Sequence, residues 1–379
     1  MQLQKLIFIT LFLLILTNSL FSQWHFGLSN YSIYDDNIFR NYKKDADTYL
    51  VPGISISKST SIMDYYFNSY NFFLNKNTAL NNSVNTLGID YYKTLTSDLY
   101  SNLGLNISGR IDKEEYNYYD YFKIETYGIF KWYSIKNGLT KIYMKTHSKS
   151  FPAENSWNHY EFALKLQHLL YLETGTTLKF DLEPIIRNFQ PYSYQYNFVT
   201  YSDELPTLWQ TIFNFRIAQS FTQNFGGYTE FQYRYNPSET NPYDPLIQSF
   251  SPIDDYFGYG GYEWRTNLKY KLTENLWLTT SGELYRDNYK NRAIYEYNFD
   301  TGLFSVDDDG YYIPLGKNRD DTGFIMNFGI SYQISKLFNS PSNIILDIQY
   351  SNQVNKSNDP YFDYDNNSIT LQLNYHTQF

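Results

Sequence analysis

The chain of 379 residues has no cysteine, which excludes a disulfide framework, a thiolate metal site, a cysteine nucleophile and a lipid-modified N-terminal cysteine. It is also short of positive charge. Its 30 Lys and Arg stand against 39 Asp and Glu, for a formal charge of −9, and without basic runs nucleic acid is not an expected partner. Mean hydropathy is −0.52. Past residue 22 no apolar stretch approaches the ~18 residues that a helical span needs, so a helical membrane protein of several spans is excluded. There is no internal repeat and no Pro/Gly/Ser-rich linker at which to divide the chain. What is abundant is the aromatic ring: 42 Tyr, 29 Phe and 6 Trp make up 20% of the residues. Such a chain does not read as disordered; it reads as a large β protein.

The first residues differ in kind. Lys5 precedes an apolar run over residues 6–16, Thr17-Asn18-Ser19 is polar, and Ser22 places a small residue before Gln23. A basic start, an h-region of about ten residues and a small residue at the cut describe a secretory signal peptide. The run is too short for a membrane anchor. The expected organisation is a signal peptide over residues 1–22 and one exported domain over residues 23–379.

That domain repeats segments of roughly ten residues in which apolar and polar side chains alternate, the pattern of a membrane barrel strand. Within residues 99–110, Leu99, Leu103, Leu105 and Ile107 share one parity, and Tyr100, Asn102, Asn106 and Arg110 the other. Leu178, Phe180 and Leu182 interleave with Lys179, Asp181 and Glu183; Tyr262, Trp264, Leu268 and Tyr270 interleave with Glu263, Arg265, Asn267 and Lys269. Phe324, Met326, Phe328 and Ile330 alternate with Asn327, Gly329 and Ser331. Helical spacing would scatter these apolar sets, whereas period two collects them on one face.

Link lengths alternate as well. Short links are expected near residues 58–61, 95–98, 134–138, 173–175, 222–224, 273–274 and 336–341. Long polar links are expected near 34–47, 74–81, 111–117, 150–155, 188–205, 236–255, 288–320 and 355–363. Seven short and eight long links join sixteen strands, with both chain ends on the short-link side. Sharing the domain among sixteen strands leaves roughly 22 residues for each strand and link, which suits tilted strands crossing lipid. A soluble sandwich or propeller would explain neither this alternation nor so many lone apolar faces. The expected fold is all-β: a transmembrane antiparallel up-and-down β-barrel of about 16 strands, with long extracellular loops and short periplasmic turns.

At the end of the chain Ile369, Leu371, Leu373, Tyr375 and Phe379 take alternate positions against Thr370, Gln372, Asn374, His376 and Gln378. This resembles the closing strand of Gram-negative outer-membrane β-barrels, in which Tyr375 and the terminal Phe379 would form the insertion signal read by the barrel-assembly machinery. Thr377 departs from the usual apolar choice. The resemblance implies a porin-like protein of the outer membrane, in contact with its lipid and lipopolysaccharide. Trp24, Trp132, Trp157, Trp209, Trp264 and Trp277 lie in or beside expected strands, as aromatic girdles require. Tyr34-Asp35-Asp36-Asn37-Ile38-Phe39-Arg40 resembles a stretch of the β-barrel porins associated with exopolysaccharide export. The bland alternative is an aspartate-rich turn with two apolar anchors.

Catalytic chemistry is poorly represented. His25, His147, His159, His168 and His376 are scattered without metal-ligand spacing, and Gly258-Tyr259-Gly260-Gly261 lacks the Lys and helix of a phosphate loop. An enzyme is not expected. His147 beside an Asp or Ser of the outer loops would be the route to a hydrolase, but an exposed histidine is the simpler expectation. The acidic stretches at Asp307-Asp308-Asp309-Gly310, Asn318-Arg319-Asp320-Asp321 and residues 359–365 would suit calcium or merely carry solvated charge. No cofactor is implied.

The candidate functional set is the polar parity, which would line a lumen: Lys123, Glu125, Lys145, Glu161, Lys165, Lys179, Asp181, Glu183, Arg216, Glu230, Arg234, Glu263, Arg265, Lys269 and Asp347. Its mixed sign describes a polar wall rather than an ion-selective ring, and these charges would also pair across strands. Sixteen strands leave room for an aqueous channel. The expected function is a porin-like channel for hydrophilic solutes, with saccharides or an exported polysaccharide as candidate cargo. The alternative is a structural or adhesive barrel whose loops bind a partner, and a hydrolase comes third. The long link over residues 288–320 separates the first two: folded inward it would constrict a pore, and folded outward it would offer a binding surface.

Overall fold

The computed structural model describes residues 23–134, 138–190, 192–196, 199–203, 207–237, 259–299, 301, 303–308, 312–334 and 342–378. The expected signal peptide, Phe379, the turn at 336–341 and most of the link at 236–255 lie outside the described residues. In chain order the strands are β1 (Gln23–Asp35), β2 (Asp47–Ser59), β3 (Met63–Leu74), β4 (Asn82–Thr94), β5 (Leu99–Asp112), β6 (Tyr121–Ser134), β7 (Gly138–Ser150), β8 (His159–Tyr171), β9 (Thr176–Phe189), β10 (Tyr192–Tyr196), β11 (Val199–Asp203), β12 (Leu208–Ser220), β13 (Phe225–Tyr235), β14 (Gly260–Thr273), β15 (Leu276–Tyr295), β16 (Tyr297–Asn298), β17 (Leu303–Phe304), β18 (Pro314–Gln333), β19 (Asn343–Ser357) and β20 (Tyr364–Gln378). Sixteen of them form one closed barrel, in chain order with β10–β11 and β16–β17 set apart as two small paired sheets. Each barrel strand is antiparallel to its neighbours, and β20 closes on β1 with Leu28 opposite Tyr375. Closure leaves no unpaired edge, the condition for a sheet to cross lipid.

The expected strand number holds, and the expected links fall between the observed strands. Two long links contain more structure than expected. That at 188–205 carries the β10–β11 pair, and that at 288–320 is largely strand, because β15 and β18 each run 20 residues and project together beyond their neighbours. Register shifts between Asn288 and Ala293 and between Ala293 and Tyr295 mark where this arm leaves the regular barrel ladder.

Alternation sends one parity to each side of the wall. Leu103, Phe180, Leu182, Trp264, Ile330 and Leu371 are all exposed on the outer face, while Asp181, Glu230 and Glu263 of the other parity are nearly buried. Trp132, Trp209 and Trp264 are exposed as a girdle requires. Two other tryptophans differ from the expectation. Trp157 lies in a 3-10 turn between β7 and β8, buried against Tyr119 and Phe151. Trp277 stands on the charged parity with its ring 5.8 Å from Lys269 Nζ.

Candidate functional site: the inner wall

Register builds a ladder of charge across five strands. Lys179 on β9 lies opposite Arg216 on β12, Arg216 opposite Glu230 on β13, Glu230 opposite Arg265 on β14, and Arg265 opposite Glu283 on β15. Lys179 Nζ reaches Glu230 Oε2 at 2.9 Å, past the intervening strand. Side chains two strands apart meet so closely only on the concave face of a curved sheet, so this parity faces the lumen. Arg216 Nε donates to Glu230 Oε2 at 2.6 Å and Arg265 Nε to Glu283 Oε2 at 2.6 Å, while Arg265 also bonds Glu263. Asp181 receives Gln167 Nε2 at 2.8 Å and Lys179 Nζ at 3.1 Å, and Lys165 Nζ lies 3.0 Å from Glu183.

Of the residues named from sequence, Lys165, Lys179, Asp181, Glu183, Arg216, Glu230, Glu263 and Arg265 are thus brought into one network. Lys123 and Glu125 form a separate pair at 3.2 Å. Arg234 lies over the Tyr259 ring at 4.3 Å, Lys269 lies beside Trp277, and Asp347 accepts from Asn374 at 3.3 Å. Glu283 and Gln167 were missed, although both share the parity of residues that were named.

A second region, on β7–β9, is packed rather than open. Arg187 Nη2 donates to Glu161 Oε2 at 2.8 Å with both side chains essentially inaccessible, and Lys145 Nζ and His147 Nδ1 each lie 3.7 Å from Glu161 Oε1. His147, expected to be exposed, is 8% exposed. Its Nε2 lies 3.4 Å from Nε2 of His159, whose Nδ1 is 2.8 Å from the Trp157 carbonyl oxygen. Histidines scattered in sequence are therefore paired across neighbouring strands, a juxtaposition that spacing along the chain does not reveal. Among the described residues no group of three or more His, Asp or Glu is placed to hold a metal ion.

Three further interior contacts share one design. Tyr66 on β3 lies over Gly88 on β4 and donates to Asn106 on β5; Tyr127 on β6 lies over Gly104 on β5 and donates to Asp90 on β4. Tyr285 on β15 lies over Gly323 on β18 and its hydroxyl donates to Asn355 on β19 at 2.9 Å. A Cβ at any of these glycines would overlap the ring. The missing side chain thus opens a groove that lets a tyrosine clamp three strands. Part of the tyrosine excess is explained by this use inside the barrel.

At the long-link end of the barrel, the Tyr34–Arg40 stretch is locked in place. Asn37 N and Arg40 Nη1 donate to Asp35, Asn37 Nδ2 donates to the Asn41 carbonyl at 2.7 Å, and Asn367 donates to Asp36 through both N and Nδ2. Arg40 takes a left-handed φ of 50°. The β15–β18 arm reaches across the β19–β20 loop to the β1–β2 loop: Tyr297 contacts Tyr361 and Tyr42, the two hydroxyls of Tyr42 and Tyr297 lying 2.8 Å apart. Below this tip the Arg319 and Arg292 guanidinium groups lie 3.6 and 4.8 Å from the Phe362 ring centre. Burial pushes the Asp359 carboxyl in the β19–β20 loop above the usual carboxylate range, against the donated Tyr361 amide. Two of the three acidic stretches turn to basic partners: Asp320 to Arg286 at 2.7 Å, Asp363 to Lys356 at 2.8 Å, Asp321 to Arg319 and Asp365 to Lys44.

A scan against protein-family models found no match, and a search of curated proteins found none either. Solved structures do match in shape. OccAB3 of Acinetobacter baumannii superposes with a TM-score of 0.52 at 9% identity, covering 94% of this chain and 99% of its own. OccK1 (OpdK) of Pseudomonas aeruginosa gives 0.51 at 8% identity with coverage of 94% and 99%. OccAB4 of A. baumannii gives 0.50 at 9% identity with coverage of 96% and 99%. The chain has the fold of a Gram-negative outer-membrane porin. At these identities the likeness is one of fold.

Proposed function

We propose that the protein is an outer-membrane channel for hydrophilic solutes, saccharides among them. The observation that carries this reading is the Lys179–Arg216–Glu230–Arg265–Glu283 ladder, a wall of paired, mixed-sign charge along the inside of a closed sixteen-strand barrel. Arg216 and Arg265 remain 32% and 40% exposed within it, so water and solute reach their guanidinium edges. A wall of both signs offers hydrogen bonds to hydroxyl-rich solutes without selecting one ion strongly. Purified protein in planar bilayers is expected to form stable open channels. Failure to do so, in the full chain and in a chain with residues 290–316 replaced by a short turn, would sink the channel reading. The partner-binding alternative rests on the arm, whose aromatic tip is held by Tyr42 and Tyr361 over neighbouring loops. On that reading the shortened chain would lose partner binding with conductance unchanged.

A further inference from the structure

The apolar outer face of the barrel is interrupted on β1–β5. Gly109 on β5 shares the outward parity of Leu103 and Leu105. Register carries that parity across to Asn85 on β4, Ser69 on β3, Ile54 on β2 and Leu28 on β1. One row nearer the long links, Asn30 lies opposite Pro52, and Asn71 opposite Ser83, on the same side of the wall. Amides, hydroxyls, a glycine and a proline therefore share an area that spans five strands. Exposed apolar side chains frame it above and below: Leu28 and Tyr34 on β1, Ile54 and Leu50 on β2, Leu105 and Ile111 on β5. The area thus lies within the apolar belt, not beyond it.

Polar groups that face lipid are costly unless they are partnered. On the far side of the barrel they are: Thr229 on β13 and Thr266 on β14 meet at 3.2 Å, and Thr229 also donates to the Arg265 carbonyl at 3.3 Å. On the near side Asn85 Nδ2 donates to Ser83 Oγ at 3.0 Å. Among the described residues, however, the side chains of Asn30, Ser69 and Asn71 have no hydrogen-bond partner. The backbone is incomplete at the same level. Pairing of β2 with β3 stops after Leu50 opposite Phe73 and resumes at Gly53 opposite Tyr70, and Pro52 has no N–H to give to that ladder. An amide carries both a donor and an acceptor, so the patch complements a copy of itself turned about a two-fold axis. Its serines, glycine and proline keep the wall shallow, which lets a second wall approach closely.

We propose that the β1–β5 face is an interface within the membrane for a second copy of this chain, packed about a two-fold axis, with Asn30 and Asn71 of each protomer hydrogen-bonding the same row of the other. The pairing is independent of what the barrel conducts. Because the chain has no cysteine, a single introduced cysteine reports proximity between copies without background. The protein, labelled with a fluorophore at its N-terminus, is reconstituted in phospholipid bilayers with and without lipopolysaccharide, and protomers are counted by single-molecule photobleaching as the lipid ratio is varied. Wild-type protein is expected to form dimers. Asn71→Cys should form a disulfide-linked pair at least tenfold faster than Thr229→Cys, which lies across the barrel. The triple variant Asn30→Leu/Asn71→Leu/Asn85→Leu should weaken the dimer at least tenfold, whereas Thr229→Leu/Thr266→Leu should leave it unchanged. Leucine suits a lipid face, and gel migration before and after boiling checks that each variant is folded. A monomer at every lipid ratio, equal cross-linking of Asn71→Cys and Thr229→Cys, or a dimer indifferent to the triple variant would each overturn the interface. A trimer would overturn the two-fold pairing. Shielding of Asn71→Cys from alkylation only in bilayers that contain lipopolysaccharide would overturn it too, and would give the face to that lipid.

Discussion

The two halves of the inner wall use the same residue types to different ends. On β7–β9, Glu161 and Arg187 are sealed under His147, His159 and Phe189, and the pair behaves as part of a packed interior. On β12–β15 the same kinds of charge form a ladder in which arginine edges remain open to the lumen. Burial, not identity, decides what a charge pair does: the sealed pair must stay matched or leave an uncompensated ion, whereas the open pair can exchange its partner for water or solute.

The largest expected effect breaks the sealed half. Arg187→Gln leaves Glu161 without its closest cation, and a loss of ~3–5 kcal/mol is expected for a buried pair broken on one side; denaturant unfolding of the reconstituted barrel measures it. A loss near that of an exposed pair would mean that water reaches β8 and β9 and that the two halves do not differ. Next comes the distinction between the two faces of one strand. Leu105 faces lipid and Asn106 faces the lumen, where it accepts from Tyr66. Leu105→Arg is expected to cost ~2–4 kcal/mol near the bilayer midplane and Asn106→Arg far less, so similar losses would reject the assigned parity.

Gly104→Ala should be intermediate, at ~1–3 kcal/mol, because a methyl there displaces the Tyr127 ring from its groove. Tyr127→Leu combined with Gly104→Ala should recover part of the loss, and no recovery would mean the glycine serves another purpose. The smallest effect on stability is expected in the open half. Arg265→Gln should change stability by no more than ~1 kcal/mol, since the side chain is partly solvated. Its effect appears instead in ion preference: Glu230, Glu263 and Glu283 lose a shared cation, and the reversal potential in a KCl gradient should move towards cation selectivity. An unmoved potential would take the ladder out of the conduction path.

Much of this molecule was legible before its structure. The strand number, the alternation of short and long links and the outward parity of Leu103, Phe180, Trp264 and Leu371 follow from local period-two patterning, because lipid requires every spanning strand to present an apolar face and to pair on both edges. The charged parity was legible for the same reason, and most of the named residues do meet in one network. Length alone was misleading where polar sequence continued as strand, so the link at 288–320 proved to be an arm made of β15 and β18 rather than a loop.

What the sequence by itself determined is therefore the barrel and its two faces, since both depend on spacing between near neighbours in the chain. Tertiary structure alone decided how those faces are used. Closure and register placed His147 against His159, set Lys131 opposite Lys141, laid Tyr66, Tyr127 and Tyr285 over glycines of adjacent strands, and sealed Glu161 while leaving Arg265 open. Each of these depends on which residue of one strand stands beside which residue of another, and a register is fixed only when the whole ring of hydrogen-bonded strands has closed.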